Sequence, residues 1–247
     1  MSDSLLTAAC VLFVVHVLGS APPLLARWSQ RGLHFCISVA AGVFLGAIFL
    51  HLLPELAARG EAQGVAARLP WIAALAGLVL LFFLEQIVLT RAGRAADPHR
   101  LVWTSSYVGL TVHSFATGLG FAAVAGDPVL LWPFLGAMAV HKAGESFSLA
   151  TVMRLAGLPV RRAALLLLAY SASTPAGLLL GGAFALGALG SSVAPVLAGL
   201  ACGTFLYVAV GDLLPEVFHE SGQRASGTLG LLLGIGAAAA GSALMHA

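Results

Sequence analysis

The chain has 247 residues, of which 60 % are hydrophobic and 9 % are charged, and its formal net charge is +2. Soluble domains contain about 25 % charged residues, so this chain has too few charges to cover a soluble surface, and we expect an integral membrane protein surrounded by lipid bilayer. The basic residues form no run of the kind that follows a phosphate backbone, which argues against nucleic acid as a partner.

Eight apolar segments follow one another along the chain, and each has the roughly 20 residues that a helix needs to cross a bilayer. The connections are short, so we expect residues 1–247 to form a single polytopic, all-α membrane domain. The first 26 residues contain no Lys or Arg, which favours a first transmembrane helix over a cleaved signal peptide. The predicted helices, numbered as spans 1 to 8, lie at about 4–25, 33–56, 70–90, 102–124, 129–153, 161–183, 191–215 and 225–246.

Basic residues are distributed unevenly between the two sides of the predicted spans. Nine fall in loops on one side, two (Arg59 and Arg68) fall on the other, and Lys142 lies inside span 5. Because cytoplasmic loops carry an excess of Lys and Arg, we expect both termini on the extracytoplasmic side. The compact chain without His-rich extensions suggests a bacterial inner membrane. The nine residues are Arg27, Arg31, Arg91, Arg94, Arg100, Arg154, Arg161, Arg162 and Arg224.

Two segments of the chain resemble each other. Residues 42–55 read GVFLGAIFLHLLPE and residues 203–216 read GTFLYVAVGDLLPE, with seven of fourteen positions identical. They belong to spans 2 and 7, which differ by an odd number and so cross the membrane in opposite directions. This is typical of an inverted-topology repeat, which places transporter sites near the bilayer midplane at the repeat interface. The repeat predicts a 3+2+3 arrangement, with spans 1–3 and 6–8 around spans 4 and 5.

Spans 4 and 5 each carry a stripe of polar residues that begins with a histidine. His113 and Thr117 share one face of span 4, and His141 and Glu145 share one face of span 5, because residues four apart lie one above the other on a helix. The residue that follows each histidine points about 100° away. The polar residues of the two stripes are His113, Ser114 and Thr117, and His141, Lys142, Glu145 and Ser148.

These stripes predict a metal site. An ionisable group at the bilayer centre costs about 2.5–3.5 kcal/mol on insertion scales, so such groups persist when they are paired, hydrated or bound to an ion. Two imidazoles and a carboxylate, from His113, His141 and Glu145, suit Zn²⁺ or a similar divalent cation. The hydroxyls of Ser114 and Thr117, or water, are expected to fill the remaining coordination positions.

A structural explanation of the same residues is also open. Lys142 and Glu145 are three residues apart and could form a neutral ion pair within one helix. His113 and His141 could each bond a backbone carbonyl. The occurrence of two histidine stripes on successive spans, together with the repeat, favours the metal site.

The motifs HSFATG in span 4, HKAGESF in span 5, FLHLLPE in span 2 and GTFLYVAVGDLLPE in span 7 together resemble the ZIP (Zrt/Irt-like) metal transporters. The resemblance extends over all eight spans. It implies a 3+2+3 helical fold and uptake of divalent metal, usually zinc, into the cytoplasm. By position it implies metal ligands at His113 and Ser114 in span 4, and at His141 and Glu145 in span 5.

The chain departs from the two-metal pattern of many ZIP proteins at three positions. Thr117 replaces a common glutamate, Lys142 stands where an aspartate or asparagine can bridge two metals, and Thr174 precedes Pro175 where two-metal members have glutamate. We therefore expect a single-metal site, in which the ammonium of Lys142 takes the place of a second cation and balances Glu145.

The combined prediction is transport by alternating access, with Zn²⁺ as the main substrate, Fe²⁺, Mn²⁺ or Cd²⁺ as lesser substrates, and no organic cofactor. Runs of Gly and Ala in spans 6 and 8 allow close helix contact, so they predict either a homodimer surface or a sliding face between helix bundles. The residues predicted to line the transport pathway are Lys142, His51, Asp212 and Ser148.

Two other classes of function stay open. An intramembrane metalloenzyme would need a catalytic metal and a general base, often as HExxH, and the chain contains no such motif. A proton or ion channel could also use His and Glu as a relay.

Overall fold

A computed structural model describes residues 3–26, 28–62, 68–92, 98–122, 128–183, 186–218 and 224–245. The regular structure within these ranges is entirely helical. Arg27 and Arg94, which contribute to the predicted orientation, lie outside them. The α-helices are α1 (Asp3–Leu25), α2 (Gln30–Ala47), α3 (Leu53–Ala62), α4 (Leu69–Ala92), α5 (Pro98–Ala122), α6 (Pro128–Leu155), α7 (Val160–Ser171), α8 (Ser173–Ala183), α9 (Leu186–Tyr207), α10 (Leu214–Phe218) and α11 (Arg224–Met245).

Five helical segments within the described residues are long and apolar enough to cross a membrane, which confirms an all-helical membrane protein. They correspond to predicted spans 1, 2, 3, 6 and 7. Helices α5 and α6, which carry the polar stripes, coincide with spans 4 and 5, and α11 coincides with span 8. The number of eight spans stays a prediction. The five segments are Asp3–Leu25, Gln30–Ala58, Leu69–Ile87, Val160–Ala183 and Pro195–Phe218.

Span 6 is divided into α7 and α8 by a break at Ala172. Pro175 has no N–H and cannot donate to the carbonyl of Ser171, four residues earlier, so the α-helical ladder is interrupted there. The ladder resumes with the hydrogen bond from Ala176 N to Ala172 O, of 2.9 Å. The break places Tyr170 at the end of α7, beside α5 and α6.

The two similar segments contain the same irregularity. A π-helical turn at Ile48–Leu52 joins α2 to α3, and another at Val208–Leu213 joins α9 to α10. In each turn a leucine N–H bonds the carbonyl five residues earlier, Leu53 to Ile48 and Leu214 to Ala209. The proline that follows each leucine lacks an N–H, so an ordinary i→i−4 ladder could not continue through either segment.

Four pairs of helices make the most extensive contacts. Helix α1 packs on α6, and α5 packs on α8; α2 packs on α11, and α4 packs on α9. Helices α5 and α8 approach most closely at two glycines, because a Cβ at Gly118 would overlap the carbonyl oxygen of Thr174, and one at Gly177 would overlap that of Phe115. This close approach brings the polar stripe of α5 next to α7 and α8.

Candidate metal centre

Three side chains on α5 and α6 converge on one buried point. Nε2 of His113 lies 3.1 Å from Oε1 of Glu145, and Nε2 of His141 lies 2.9 Å from the same oxygen. The three ligand atoms all lie within 4.8 Å of one another. Tetrahedral zinc with bonds of about 2.0–2.1 Å holds its ligand atoms about 3.3 Å apart, so this spacing fits one divalent cation.

His113 is held by α9, a helix that carries neither polar stripe. Its Nδ1 lies 2.8 Å from the carbonyl oxygen of Ala201 on α9, and its ring stacks on Phe205 with centroids 4.5 Å apart. A carbonyl oxygen only accepts hydrogen bonds, so Nδ1 carries the proton. In the neutral ring Nε2 then points its lone pair at the site, as a metal-binding histidine requires.

His141 lies at the open side of the cluster. Its side chain is 21 % exposed, whereas the side chains of His113 and Glu145 are 2 % and 0 % exposed. Its ring meets the edge of Phe205, with centroids 5.0 Å apart.

Glu145 is also bonded by a lysine and two hydroxyls. Nζ of Lys142 donates to Oε1 at 2.8 Å and to Oε2 at 2.9 Å. Oε2 also accepts hydrogen bonds from the hydroxyls of Ser114, at 2.8 Å, and Tyr170, at 2.7 Å. Lys142 donates further to Ser114, at 3.1 Å. The buried carboxylate is thus paired and hydrogen-bonded, which is the condition for keeping a charge out of water.

The other three residues of the predicted stripes use their hydroxyls in different ways. Ser114 lies on the Oε2 side of Glu145, as described above. Thr117 Oγ1 donates to the carbonyl of His113 at 2.7 Å and lies 3.3 Å from His113 Nε2. Ser148 donates to the carbonyl of Gly144, at 2.8 Å, within its own helix. The ligand roles of Ser114 and Thr117 and the pathway role of Ser148 stay predictions.

The predicted pathway residues His51 and Asp212 occupy the two π-helical turns. Asp212 is buried and accepts hydrogen bonds from Ser105 and Ser106, both of 3.0 Å. Ser106 precedes His113 by two helical turns on the same face of α5. Asp212 therefore lies along the α5 stripe but apart from the three converging ligand atoms.

Two residues that sequence reasoning missed lie next to the site. Tyr170 and His16 are both fully buried, and their rings meet edge to face with centroids 5.2 Å apart. Nδ1 of His16 donates to the carbonyl of Leu12 at 2.7 Å, and Nε2 lies 3.5 Å from the hydroxyl of Thr174. The polar run YSAST at 170–174, within an otherwise apolar span, was the one signal available for Tyr170. His16 has no comparable neighbour in sequence.

Comparison with known proteins identifies a family. A family model described as ZIP Zinc transporter matches residues 2–106 and 96–242. The chain is 34 % identical to protein zntD of Dictyostelium discoideum over 61 % of its own length and 22 % of zntD, and 33 % identical to zinc transporter ZIP3 of Homo sapiens over 56 % of its length and 44 % of ZIP3. It is 30 % identical to zinc transporter ZIP1 of Mus musculus over 93 % of its length and 85 % of ZIP1. ZIP1 and ZIP3 are named as transporters and not as enzymes.

Proposed function

Because the chain belongs to the ZIP zinc transporter family, we propose that it carries a divalent transition metal, zinc above all, across the membrane into the cytoplasm through a site of His113, His141 and Glu145. Fe²⁺, Mn²⁺ and Cd²⁺ are lesser substrates in this proposal. The observation that carries it is the convergence of two imidazole nitrogens and one carboxylate oxygen at a buried point of α5 and α6.

The tautomer that the Ala201 contact favours at His113 is the one that a metal-binding histidine requires. The bond from Nδ1 to Ala201 leaves the Nε2 lone pair facing Oε1 of Glu145 at 3.1 Å. Two acceptors at this distance repel unless a proton or a metal cation lies between them. A divalent cation bound to Nε2 and Oε1 would turn that repulsion into two coordination bonds.

Lys142 supports a single-metal site. Its ammonium contacts both oxygens of Glu145 and also Ser114, and so occupies the space beside the carboxylate in which a second cation would lie. A second divalent cation in that space would be repelled by the ammonium at low dielectric. We propose that the site binds one metal ion, that Glu145 balances its charge, and that the ammonium of Lys142 takes the place of a second cation.

The pairing of the helices supports an inverted repeat and a 3+2+3 arrangement of eight spans. In such a repeat span 1 is equivalent to span 6, span 2 to span 7, span 3 to span 8, and span 4 to span 5. The contact of α1 with α6 is then equivalent to that of α8 with α5. The contact of α2 with α11 is likewise equivalent to that of α9 with α4. The π-helical turns occupy matching places in the two similar segments. We propose that spans 4 and 5, which carry the site, move together with spans 1 and 6, which pack on them, against the other four in alternating access.

The orientation that we propose rests on the charges of the loops. Nine basic residues against two support both termini outside the cytoplasm. A bacterial inner membrane is the proposed host. Assembly as a homodimer and a single domain over 1–247 stay predictions.

Uptake of zinc into proteoliposomes that contain a zinc-sensitive dye tests the function. We expect saturable uptake by the wild type, and its loss in Glu145→Gln and His113→Ala. Thr151→Ala is the control, because Thr151 is buried in α6 and its hydroxyl donates to the carbonyl of Phe147, away from the site.

Three other outcomes would count against the proposal. A wild type that moves no divalent metal contradicts transport, and the Lys142–Glu145 ion pair then becomes the better explanation. Flux that does not saturate with zinc indicates a channel. Equal uptake by all variants would show that the ion binds elsewhere in the protein.

A further inference from the structure

We propose that Tyr170 is a positioning residue that holds Glu145 in a monodentate binding mode, with Oε2 engaged by two hydroxyls and Oε1 turned toward the histidines and the metal, and that this selects zinc over larger divalent cations. The inference rests on the proposed transport site. It assigns a role to a residue of α7 that contributes no metal ligand.

The hydrogen bonds of Glu145 divide its two oxygens unequally. Oε2 accepts from Tyr170 at 2.7 Å, from Ser114 at 2.8 Å and from Lys142 at 2.9 Å. A carboxylate oxygen has two lone pairs in the carboxylate plane, so the hydroxyls of Tyr170 and Ser114 by themselves saturate Oε2. Oε1 is the oxygen that both histidines face, and it also accepts from Lys142 at 2.8 Å.

Tyr170 makes the shortest of the three bonds, and its hydroxyl comes from outside the two polar stripes. The bond from Lys142 is shared, because the same ammonium also contacts Oε1 at 2.8 Å. Without the hydroxyl of Tyr170, Oε2 would keep one full hydrogen bond from Ser114 and one shared bond. A lone pair would then become accessible to a cation.

The ring of Tyr170 is fixed on two sides. His16 meets it edge to face at 5.2 Å, and His16 is itself fixed by its bond to the carbonyl of Leu12. The ring of Tyr107 lies on another side, with centroids 6.5 Å apart. Tyr170 is fully buried, so its hydroxyl has little freedom to leave Oε2.

The binding mode of the carboxylate matters for metal choice. Zinc in proteins is usually four-coordinate and accepts a monodentate carboxylate. Larger divalent cations take more ligands and accept bidentate carboxylates readily. A glutamate with one engaged oxygen offers a single oxygen, so the site favours the smaller, four-coordinate ion.

The test compares zinc with cadmium, a larger ion of the same charge, in proteoliposome uptake. Tyr170→Phe removes the hydroxyl and keeps the ring. We expect the cadmium-to-zinc ratio of transport efficiency to rise about fivefold, as the loss of one hydrogen bond to a charged group allows. Tyr107→Phe is the matched control, because that hydroxyl donates to the carbonyl of Leu166, at 3.2 Å. Its ratio should equal that of the wild type.

The outcomes separate this inference from the proposed function. A folded Tyr170→Phe that transports zinc with an unchanged ratio, or that loses both metals equally, overturns the role of Tyr170 and leaves transport intact. A wild type that moves neither metal overturns both.

If Tyr170→Phe does not fold, infrared difference spectra of the wild type measure whether the Glu145 carboxylate binds the metal through one oxygen or two. The gap between the two carboxylate stretching bands is wider for monodentate than for bidentate binding. Zinc should produce the wide gap, and Glu145→Gln should abolish the signal. A narrow gap in the zinc-loaded wild type would overturn the inference.

Discussion

Nδ1 of His113 lies 2.8 Å from the carbonyl oxygen of Ala201, so a helix that provides no ligand to the site decides which nitrogen of the histidine faces Glu145. The same helix provides Phe205, whose ring contacts both His113 and His141. Helix α9 thus orients the two imidazoles, and α6 places the carboxylate.

Phe205→Leu should weaken zinc transport through the orientation of the histidines. The ring stacks on His113 and meets the edge of His141, and aromatic pairs contribute about 0.5–1.5 kcal/mol beyond burial. We expect the KM for zinc to rise about threefold to tenfold. Phe44→Leu is the control, because Phe44 packs on Phe205, with centroids 4.6 Å apart, in the same core. A similar rise in both variants would point to general loosening of the core.

Lys142→Ala should alter the turnover and its pH dependence and should not remove zinc binding. The ammonium is fully buried and balances Glu145, so its removal leaves a buried carboxylate without its lysine and should cost about 3–5 kcal/mol in the metal-free protein. Zinc restores the missing charge, so its stabilising effect on thermal unfolding in detergent should be larger than in the wild type. Kinetics identical to the wild type across pH would contradict this role.

Gly118→Ala should destabilise the protein by about 1–3 kcal/mol, because the new methyl group would overlap the carbonyl of Thr174 and force α5 away from α8. Gly120→Ala lies on the same helix with open space around the new methyl group, so its stability should match or exceed that of the wild type. Thermal unfolding in detergent measures both variants. Equal midpoints would show that the contact between the helices is looser than the structure indicates.

Asp212→Asn should lower the maximal rate of zinc uptake and leave KM nearly unchanged. Asp212 lies along the α5 stripe, bonded to Ser105 and Ser106, and is separate from the converging ligands. Loss of its charge would remove an attraction for a cation that passes between the site and one membrane face. Initial rates of uptake over a range of zinc concentrations give both constants. A raised KM with an unchanged rate would instead make Asp212 part of the binding site.

Much of the site was predictable because both stripes follow local helical geometry. The four-residue spacing of His141 and Glu145 places both on one face of any α-helix, and the structure brings them within 2.9 Å. The same rule aligns Thr117 with His113, and their side chains lie 3.3 Å apart. The helical character of the chain followed from its composition, since a backbone in lipid must satisfy its hydrogen bonds within the segment.

Other features could not be read from spacing. Tyr170 and His16 belong to different helices and lie far from Glu145 in sequence. Ala201 acts through a backbone carbonyl, which any residue would provide. The division of span 6 at Ala172 also depends on packing, because Pro175 interrupts the ladder without dictating how the two halves meet.

The amino-acid sequence by itself determined that this is a helical membrane protein of the ZIP family and which two helices carry His113, His141 and Glu145, because hydrophobic length and helical periodicity act within one segment. Only the tertiary structure decided which atoms of those groups meet. The close approach of α5 to α8 at Gly118 and Gly177, and the contacts of α9 with His113, determine that Oε1 of Glu145 faces the histidines and Oε2 faces Tyr170. Such orientation depends on packing between helices, and packing is a property of the whole fold.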